Sequence, residues 1–399
     1  MRKKMQRFAV GIFAIALTAV SCTAKEKDPQ EGYMIRLNTL FSGSEIDLCD
    51  STVRSYLEAA DEKEICALLT QYSGVSKDRQ AVEIEWSGDI LTEYSVYISE
   101  ESDFTNAYSE KVYGTSWSSS ALSPGKTYYY KVVAETGEES VTDTFKTKDL
   151  PVRYISVAGG VNVRDMGGWK TESGQKVAYG KIYRGGNFQK TTFLFGGGKK
   201  LLCDVLGVKS EVDFRTSGYD DGEQSTSIFG ENCVYTKATI SAYGHLFPQF
   251  KWENGTSRYN PTTVSGIQAL FEHLSKEENY PVYIHCNAGA DRTGTAAFFI
   301  NGLLGVSFED LTRDFELTSF SKSGRRWRSD IQNGTFTSDG VMEDDPTTNY
   351  VGWNKAYDLL MKYYGESGVL SNAIESYLTE HCLVPKAHLD AVKSIMLGN

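Results

Sequence analysis

The chain has 399 residues, 40% of them hydrophobic, and a formal net charge of −11. That length is enough for two domains, each with its own core. The acidic balance excludes a general nucleic-acid binder and an electrostatic attachment to an anionic membrane surface.

The first residues read as a targeting segment rather than as fold. Arg2, Lys3, Lys4 and Arg7 form a basic region, and Phe8 to Leu17 is apolar but too short to span a bilayer. Thr18-Ala19-Val20-Ser21 then places small residues before Cys22. This resembles a bacterial lipobox, with alanine where leucine is usual. The resemblance implies a lipid anchor on Cys22 and a place in the bacterial cell envelope. Ordinary secretion with cleavage nearby is the alternative. On this reading residues 1–22 are a signal peptide and 23–30 a polar tether. Export bears on the other cysteines. Cys49 and Cys66 are close enough in sequence to pair in an oxidising compartment, whereas Cys203, Cys233 and Cys382 have the apolar neighbours of buried thiols.

Residues 80 to 149 alternate with period two. Ala81 to Trp86, Tyr94 to Ile98, Thr127 to Val133 and Glu139 to Lys148 are strand patterns separated by turn residues. Tyr33 to Leu40 supplies a first strand, and 44–78, with Ile65-Cys66-Ala67-Leu68-Leu69, is expected as a helical insertion. Leu122-Ser123-Pro124-Gly125-Lys126-Thr127-Tyr128 resembles the corner before strand F of fibronectin type III domains, and Trp86 stands where those domains keep a core tryptophan. An all-β sandwich over residues 31–150 is the expectation.

From residue 151 to 399 strands and helices alternate, which implies an α/β layer fold. Val208 to Arg215 and Asn232 to Ala238 read as strands, Val264 to Leu274 as an amphipathic helix, Ser307-x-x-Asp310 as a capping box, and a last helix starts at Pro385. Between the strand pattern Tyr280 to Ile284 and the helix pattern Thr295 to Ile300 lies His285-Cys286-Asn287-Ala288-Gly289-Ala290-Asp291-Arg292-Thr293-Gly294. A cysteine, five residues and an arginine between a strand and a helix N-terminus suit a phosphate cup with sulfur at its base. Amides of Asn287, Ala288, Gly289, Ala290, Asp291 and Arg292 would form an anion nest, and the helix dipole favours the thiolate nucleophile. Arg292 offers a planar fork for two phosphate oxygens. Thr293 can donate to the sulfur, and His285 is placed to brace the loop. A rhodanese-like sulfur-transfer loop also follows a strand, but such loops are usually one residue shorter and lack the arginine. No His/Asp/Glu set stands at metal-ligand spacing, and no cofactor is expected.

Three blocks resemble the cysteine-dependent tyrosine phosphatases, above all their bacterial tyrosine/serine and lipid phosphatase branch: Asn162-Val163-Arg164-Asp165-Met166-Gly167-Gly168 with Gly180 to Gly186, Glu211-Val212-Asp213-Phe214-Arg215, and the cysteine loop. The resemblance spans roughly residues 155 to 320. It implies attack by Cys286 on phosphorus, a phosphocysteine intermediate, and a carboxylic acid that protonates the leaving oxygen. Asp213 is the first candidate acid, Asp291 the second, and Asp220 with Asp221 the third. Arg164 and Asp165 are expected to pair, and Arg184 either touches the phosphate or, the favoured reading, ties strands together. Ala290 stands where this branch often has the lysine associated with inositol headgroups. Arg325, Arg326 and Arg328 are either a second anion subsite or a solvated helix end. Phosphotyrosine proteins or small phosphate esters are the expected substrates. An inositol phosphate or phosphoinositide phosphatase is the alternative, and a non-catalytic phosphate-binding or adhesion module a second one.

Overall fold

The computed structural model describes residues 28, 30–77, 80–216, 224–250, 257, 259–324, 326 and 353–398. Cys22, Asp220, Asp221, Arg325 and Arg328 lie outside the described residues.

Eight strands build the N-terminal half: β1 (Arg36–Leu37), β2 (Glu45–Ile46), β3 (Val82–Ser87), β4 (Glu93–Ser99), β5 (Tyr108–Tyr113), β6 (Ser116–Ser119), β7 (Thr127–Ala134) and β8 (Asp143–Thr147). They form a three-stranded sheet, β1-β3-β6, and a five-stranded sheet, β2-β8-β7-β4-β5. The period-two pattern decides which side chains meet. Val82, Ile84 and Trp86 of β3 turn inward while Glu83, Glu85 and Ser87 face water. One core joins these residues to Val96, Tyr130 and Phe145 of the larger sheet. The Tyr128 hydroxyl accepts from the Ser123 amide at 2.9 Å, which fixes the corner ahead of β7.

Two helices, α1 (Ser51–Glu58) and α2 (Glu62–Tyr72), interrupt this half. Asp50 and Asp61 cap them by accepting from first-turn amides. Their apolar faces do not cover the sheets. Val53, Tyr56, Ile65, Cys66 and Leu69 belong to the core of the C-terminal half. The expected insertion over 44–78 is therefore corrected in two respects: it opens with β2, which pairs in parallel with β8, and its helices pack on the other half of the molecule. Cys49 and Cys66 are not joined by a disulfide.

The C-terminal half is a mixed α/β layer structure. Its strands β9 (Arg153–Tyr154), β10 (Arg164–Asp165), β11 (Ile182–Gly185), β12 (Ser210–Asp213), β13 (Val234–Lys237) and β14 (Val282–His285) form one sheet in the order β13-β12-β14-β11-β10-β9. β13, β12, β14 and β11 run parallel, and β10 and β9 add an antiparallel edge. Every residue of β11, β12 and β14 is buried, as expected of central strands covered on both faces. Ile182, Val212 and Ile284 point into one core, and Tyr183 and Tyr283 into another on the opposite face. Around the sheet lie α3 (Lys190–Phe195), α4 (Thr262–Leu274), α5 (Asp291–Leu303), α6 (Phe308–Glu316), α7 (Trp353–Tyr364), α8 (Leu370–Ser376) and α9 (Lys386–Leu397). Ser307 caps α6 by accepting from the Asp310 amide. Helix α5 is buried on nearly all sides and runs through the core directly behind the cysteine loop.

Candidate active site

Strand β14 ends at His285 and α5 begins at Asp291, so Cys286 to Ala290 form the turn at the carboxyl edge of the parallel strands. Ligands of open α/β sheets gather at this edge. Cys286 is only 2% exposed. Ala290 occupies the cap position of α5 and no side chain caps the helix, so no side chain competes with a bound anion there. The Thr293 hydroxyl is buried and has no hydrogen-bond partner among the described residues. A buried hydroxyl in the first turn of a helix that lacks a side-chain cap suits an anion or the sulfur itself as its partner. Gly289 adopts φ +69°, and a side chain there would collide with the Gly185 carbonyl, so the turn needs glycine for two reasons.

A buried bracket holds the turn from below. Asn162 and Arg184 both donate to the Gly289 carbonyl, at 3.0 and 2.9 Å. Arg184 also binds the Asp314 carboxylate, which accepts from Arg164 Nε at 2.9 Å as well. The Arg164 Nη2 donates to the Asp314 carbonyl at 2.8 Å. This corrects the expected Arg164–Asp165 pair. Asp165 binds Arg153 instead, because adjacent residues of β10 point to opposite faces. Arg184 does tie elements together, but its target is the cysteine loop rather than another strand. One carboxylate between two buried guanidiniums leaves a surplus of positive charge under the loop. Burial, and then the neighbouring Arg164, push the Arg184 guanidinium down to about 10, so it remains charged at neutral pH.

His285 stands behind the loop. Its Nε2 lies 2.8 Å from a Glu211 carboxylate oxygen, and its Nδ1 3.2 Å from the Cys286 carbonyl. Glu211 is in turn fixed by Gln224, Ser227 and the Ile228 amide.

The geometry speaks against Asp213 as the proton donor. Its carboxylate accepts from Arg215 Nε and Nη2 at 3.0 and 2.9 Å, from the Tyr235 hydroxyl at 2.8 Å and from Lys237 at 3.0 Å. Burial alone would raise this carboxyl. The hydrogen bonds and charge of Arg215 outweigh burial and hold it far below the usual carboxylate range. Such a group has no proton to give at neutral pH. Asp291 is also engaged. Arg326 grips it through Nε and Nη2, both at 2.9 Å, and the Tyr243 hydroxyl donates to it at 2.6 Å. Arg326 is thus 6% exposed and bound within the protein, which corrects the reading of it as part of an open anion subsite or a solvated helix end.

The Arg326–Asp291 pair has a testable electrostatic meaning. Asp291 sits beside Arg292 at the end of the cysteine loop, where an uncompensated carboxylate would repel an anion. Arg326→Ala is expected to lower kcat/KM by about tenfold, mainly through KM. Asp291→Asn in the same chain should restore most of the loss. Steady-state kinetics of both single variants and the double variant check this, and a double variant no better than Arg326→Ala alone would mean a packing role only.

Several of these residues carry no signal of their own in the sequence. Asn162 and Arg164 fall in a block singled out there, and Glu211 opens another. Asp314 and Tyr243 were not singled out, and neither belongs to a local pattern.

The sequence profile of the tyrosine phosphatase family matches residues 155–398, which is well over half of the chain. A Cupriavidus necator protein with a tyrosine-protein phosphatase name is 26% identical over 166 residues, which cover 39% of this chain and 59% of that protein. A tyrosine-protein phosphatase of Nostoc commune is 24% identical over 135 residues, 32% of this chain and 45% of that one. The chain thus spans roughly half the length of the curated relatives it matches. Among solved structures, the core catalytic domain of the PP-IP phosphatase SIW14 from S. cerevisiae, in complex with citrate, is 18% identical with a TM-score of 0.26, and the match covers 36% of this chain and 73% of that chain.

Proposed function

We propose that this chain, which belongs to the tyrosine phosphatase family, hydrolyses phosphotyrosine or a related phosphate monoester through a phosphocysteine. The observation that carries the reading is the set of anion-seeking groups around Cys286. They are a helix N-terminus without a side-chain cap, the Thr293 hydroxyl, which has no partner among the described residues, and the surplus charge of Arg164 and Arg184 beneath the loop. In the first step the Cys286 sulfur bonds to phosphorus, the bond to the ester oxygen breaks, and that oxygen leaves with a proton. Arg292 and the amides from Asn287 to Arg292 hold the equatorial oxygens as charge spreads over them. In the second step water attacks phosphorus, inorganic phosphate departs, and the sulfur leaves with Thr293 as hydrogen-bond donor. With Asp213 and Asp291 both ion-paired, Asp220 and Asp221 carry the proposal for the leaving-group proton.

The rest of the chain is read to match. Cys22 would bear a lipid that places the enzyme at the cell envelope, and the two-sheet N-terminal half would be a fibronectin type III-like spacer that sets the catalytic half off from the membrane. The deciding assay is hydrolysis of p-nitrophenyl phosphate by the purified chain with a chelator present. Turnover is expected, together with a phosphoenzyme trapped by acid quench. No turnover of any phosphate ester would sink the catalytic reading in favour of a binding module.

A further inference from the structure

One end of the N-terminal half turns apolar side chains to water. Of the twelve large hydrophobic side chains exposed among the described residues, five stand at that end: Tyr33, Met34, Ile90, Leu91 and Tyr113. Strand register brings them to one place. Arg36 pairs with Ser87, so the residues just before β1 and just after β3 emerge at the same end of the smaller sheet. Glu93 opens β4 opposite Tyr113, the last residue of β5, so the turn from β3 to β4 shares this end with Tyr113 of the larger sheet.

The turn itself is unusual in composition. The Thr92 amide donates to the Asp89 carbonyl at 3.1 Å, and the Asp89 carboxylate accepts from the Leu91 amide at 2.9 Å. Ile90 and Leu91 are therefore the two central residues, where Gly, Asn, Asp or Pro is usual. Their side chains are 69% and 81% exposed, and Met34 nearby is 79% exposed. An apolar cluster at the apex of a turn adds nothing to the core and marks a surface that meets something other than water.

Topology says which way this end faces. β7 ends at Ala134, opposite Tyr94 at the start of β4, and begins at Thr127, opposite Lys146 near the end of β8. The chain thus leaves β8 for the catalytic half from the far end of the sandwich. It arrives at the apolar end: Asp28 binds the guanidinium of Arg36, the first residue of β1. Asp28 stands six positions after Cys22, a distance the chain spans in about 20 Å at most. A lipid on Cys22 therefore keeps the apolar end at the membrane surface, where even a weak contact forms at high effective concentration.

We propose that this end of the sandwich is a membrane-contact surface. Met34, Ile90 and Leu91 enter the interface of a phospholipid bilayer, and Tyr33 and Tyr113 lie at headgroup depth, as amphipathic rings do. Ion pairs on the adjoining strands keep charge out of the contact: Glu93 with Lys111 at 2.6 Å and Glu139 with Lys131 at 2.7 Å. Glu135 and Glu138, on the turn after β7, stand at the same end and favour a zwitterionic surface over an anionic one. The contact turns a flexible tether into a fixed orientation, with the catalytic half held on the far side of the sandwich from the membrane. The direction this surface faces rests on the reading of Cys22 as the anchor.

The test supplies its own anchor. The chain from residue 23, with hexahistidine at its N-terminus, would be attached to phosphatidylcholine vesicles that carry a nickel-chelating lipid. Hydrogen exchange read by mass spectrometry then compares it with the same protein free of vesicles. Attachment is expected to slow exchange of the amides at 88–92 by about tenfold and to leave the turn at 101–106, at the far end, unchanged. Ile90→Ser with Leu91→Ser is expected to abolish the slowing. Both side chains are exposed, so this variant keeps the fold, and the comparison within the unaltered chain needs no variant. Unchanged exchange at 88–92, equal slowing at both ends, or slowing that survives the double substitution overturns the proposal. Slowing in concentrated protein without vesicles marks contact with a second copy and overturns it too. The mass of the N-terminal peptide from cells tests the anchor apart from this: an unmodified Cys22 would remove the anchor reading and leave the vesicle result standing.

Discussion

Cys286→Ser is expected to lower kcat for p-nitrophenyl phosphate on the order of ten-thousandfold while leaving affinity for inorganic phosphate within a few-fold. The two halves of that expectation have different causes. Turnover needs sulfur because, among the described residues, nothing behind the loop is placed to activate a serine hydroxyl. The side chains that face this loop from behind are Asn162, Arg184 and His285, and His285 is spent between the Glu211 carboxylate and the Cys286 carbonyl. Affinity depends on the helix N-terminus, Arg292 and the bracket below, none of which the substitution touches. Stability should change little, since serine is nearly isosteric and the loop is anchored through Gly289 rather than through the sulfur. Activity measured beside phosphate binding separates these outcomes. A serine variant that keeps a substantial rate would remove the thiolate from the mechanism.

How far the sequence led depends on how local each interaction is. The cup was legible because its parts are consecutive. Cys286, Gly289, Arg292 and Thr293 fall within eight residues, and the apolar runs on either side could only be a central strand and a buried helix. Strands β12 and β13 and helix α4 were legible for the same reason. Asp213 shows where this stops. Arg215, two residues on, was in plain view, but Tyr235 and Lys237 reach Asp213 from a neighbouring strand, in a register that sheet order alone sets. A strand-end aspartate looks like a proton donor until those hydrogen-bond donors are placed beside it. The basic cluster failed in the opposite sense. Arg326 read as a surface charge, yet it is folded inward to neutralise Asp291, 35 residues away.

The helices α1 and α2 give the same lesson at a larger scale. The run Ile65 to Leu69 marked a helical insertion but not what would cover it. Both helices lie inside the N-terminal half in sequence and against the C-terminal half in space. The Tyr56 hydroxyl donates to Glu316 at 2.7 Å, and Arg313 donates to the carbonyls of Tyr56 and Ala59 at 2.9 and 2.8 Å. Those contacts steady α6, which carries Asp314. The segment that follows carries Ser323 and Arg326, both of which touch the cysteine loop or the first turn of α5. A part of the N-terminal half therefore supports the site indirectly, and the two halves are not independent modules joined by a simple linker.

Asp314 is where that support converges, and Asp314→Ala is expected to cost about 3–5 kcal/mol of stability and most of the activity. The carboxylate is the shared partner of Arg164 and Arg184, both fully buried. Removing it strands two guanidiniums away from water, and the penalty comes mainly from those unpaired charges rather than from the lost attraction. Arg184 then no longer has a fixed position from which to hold the Gly289 carbonyl, so the turn that aims the amides loosens as well. Asp314→Asn keeps the shape but not the charge and should fall between. The pH dependence has a definite sign. Burial alone would raise the Asp314 carboxyl, but Arg164 and Arg184 more than offset this and hold it below the ordinary carboxylate range. A carboxyl depressed in the folded state contributes stability that is fully present above its unfolded value of about 4 and is lost as pH falls through its lower folded value. Urea denaturation at a series of pH values should therefore show the wild-type chain and Asp314→Asn well separated at neutral pH and converging in acid. Parallel curves across that range would mean that Asp314 acts through packing alone.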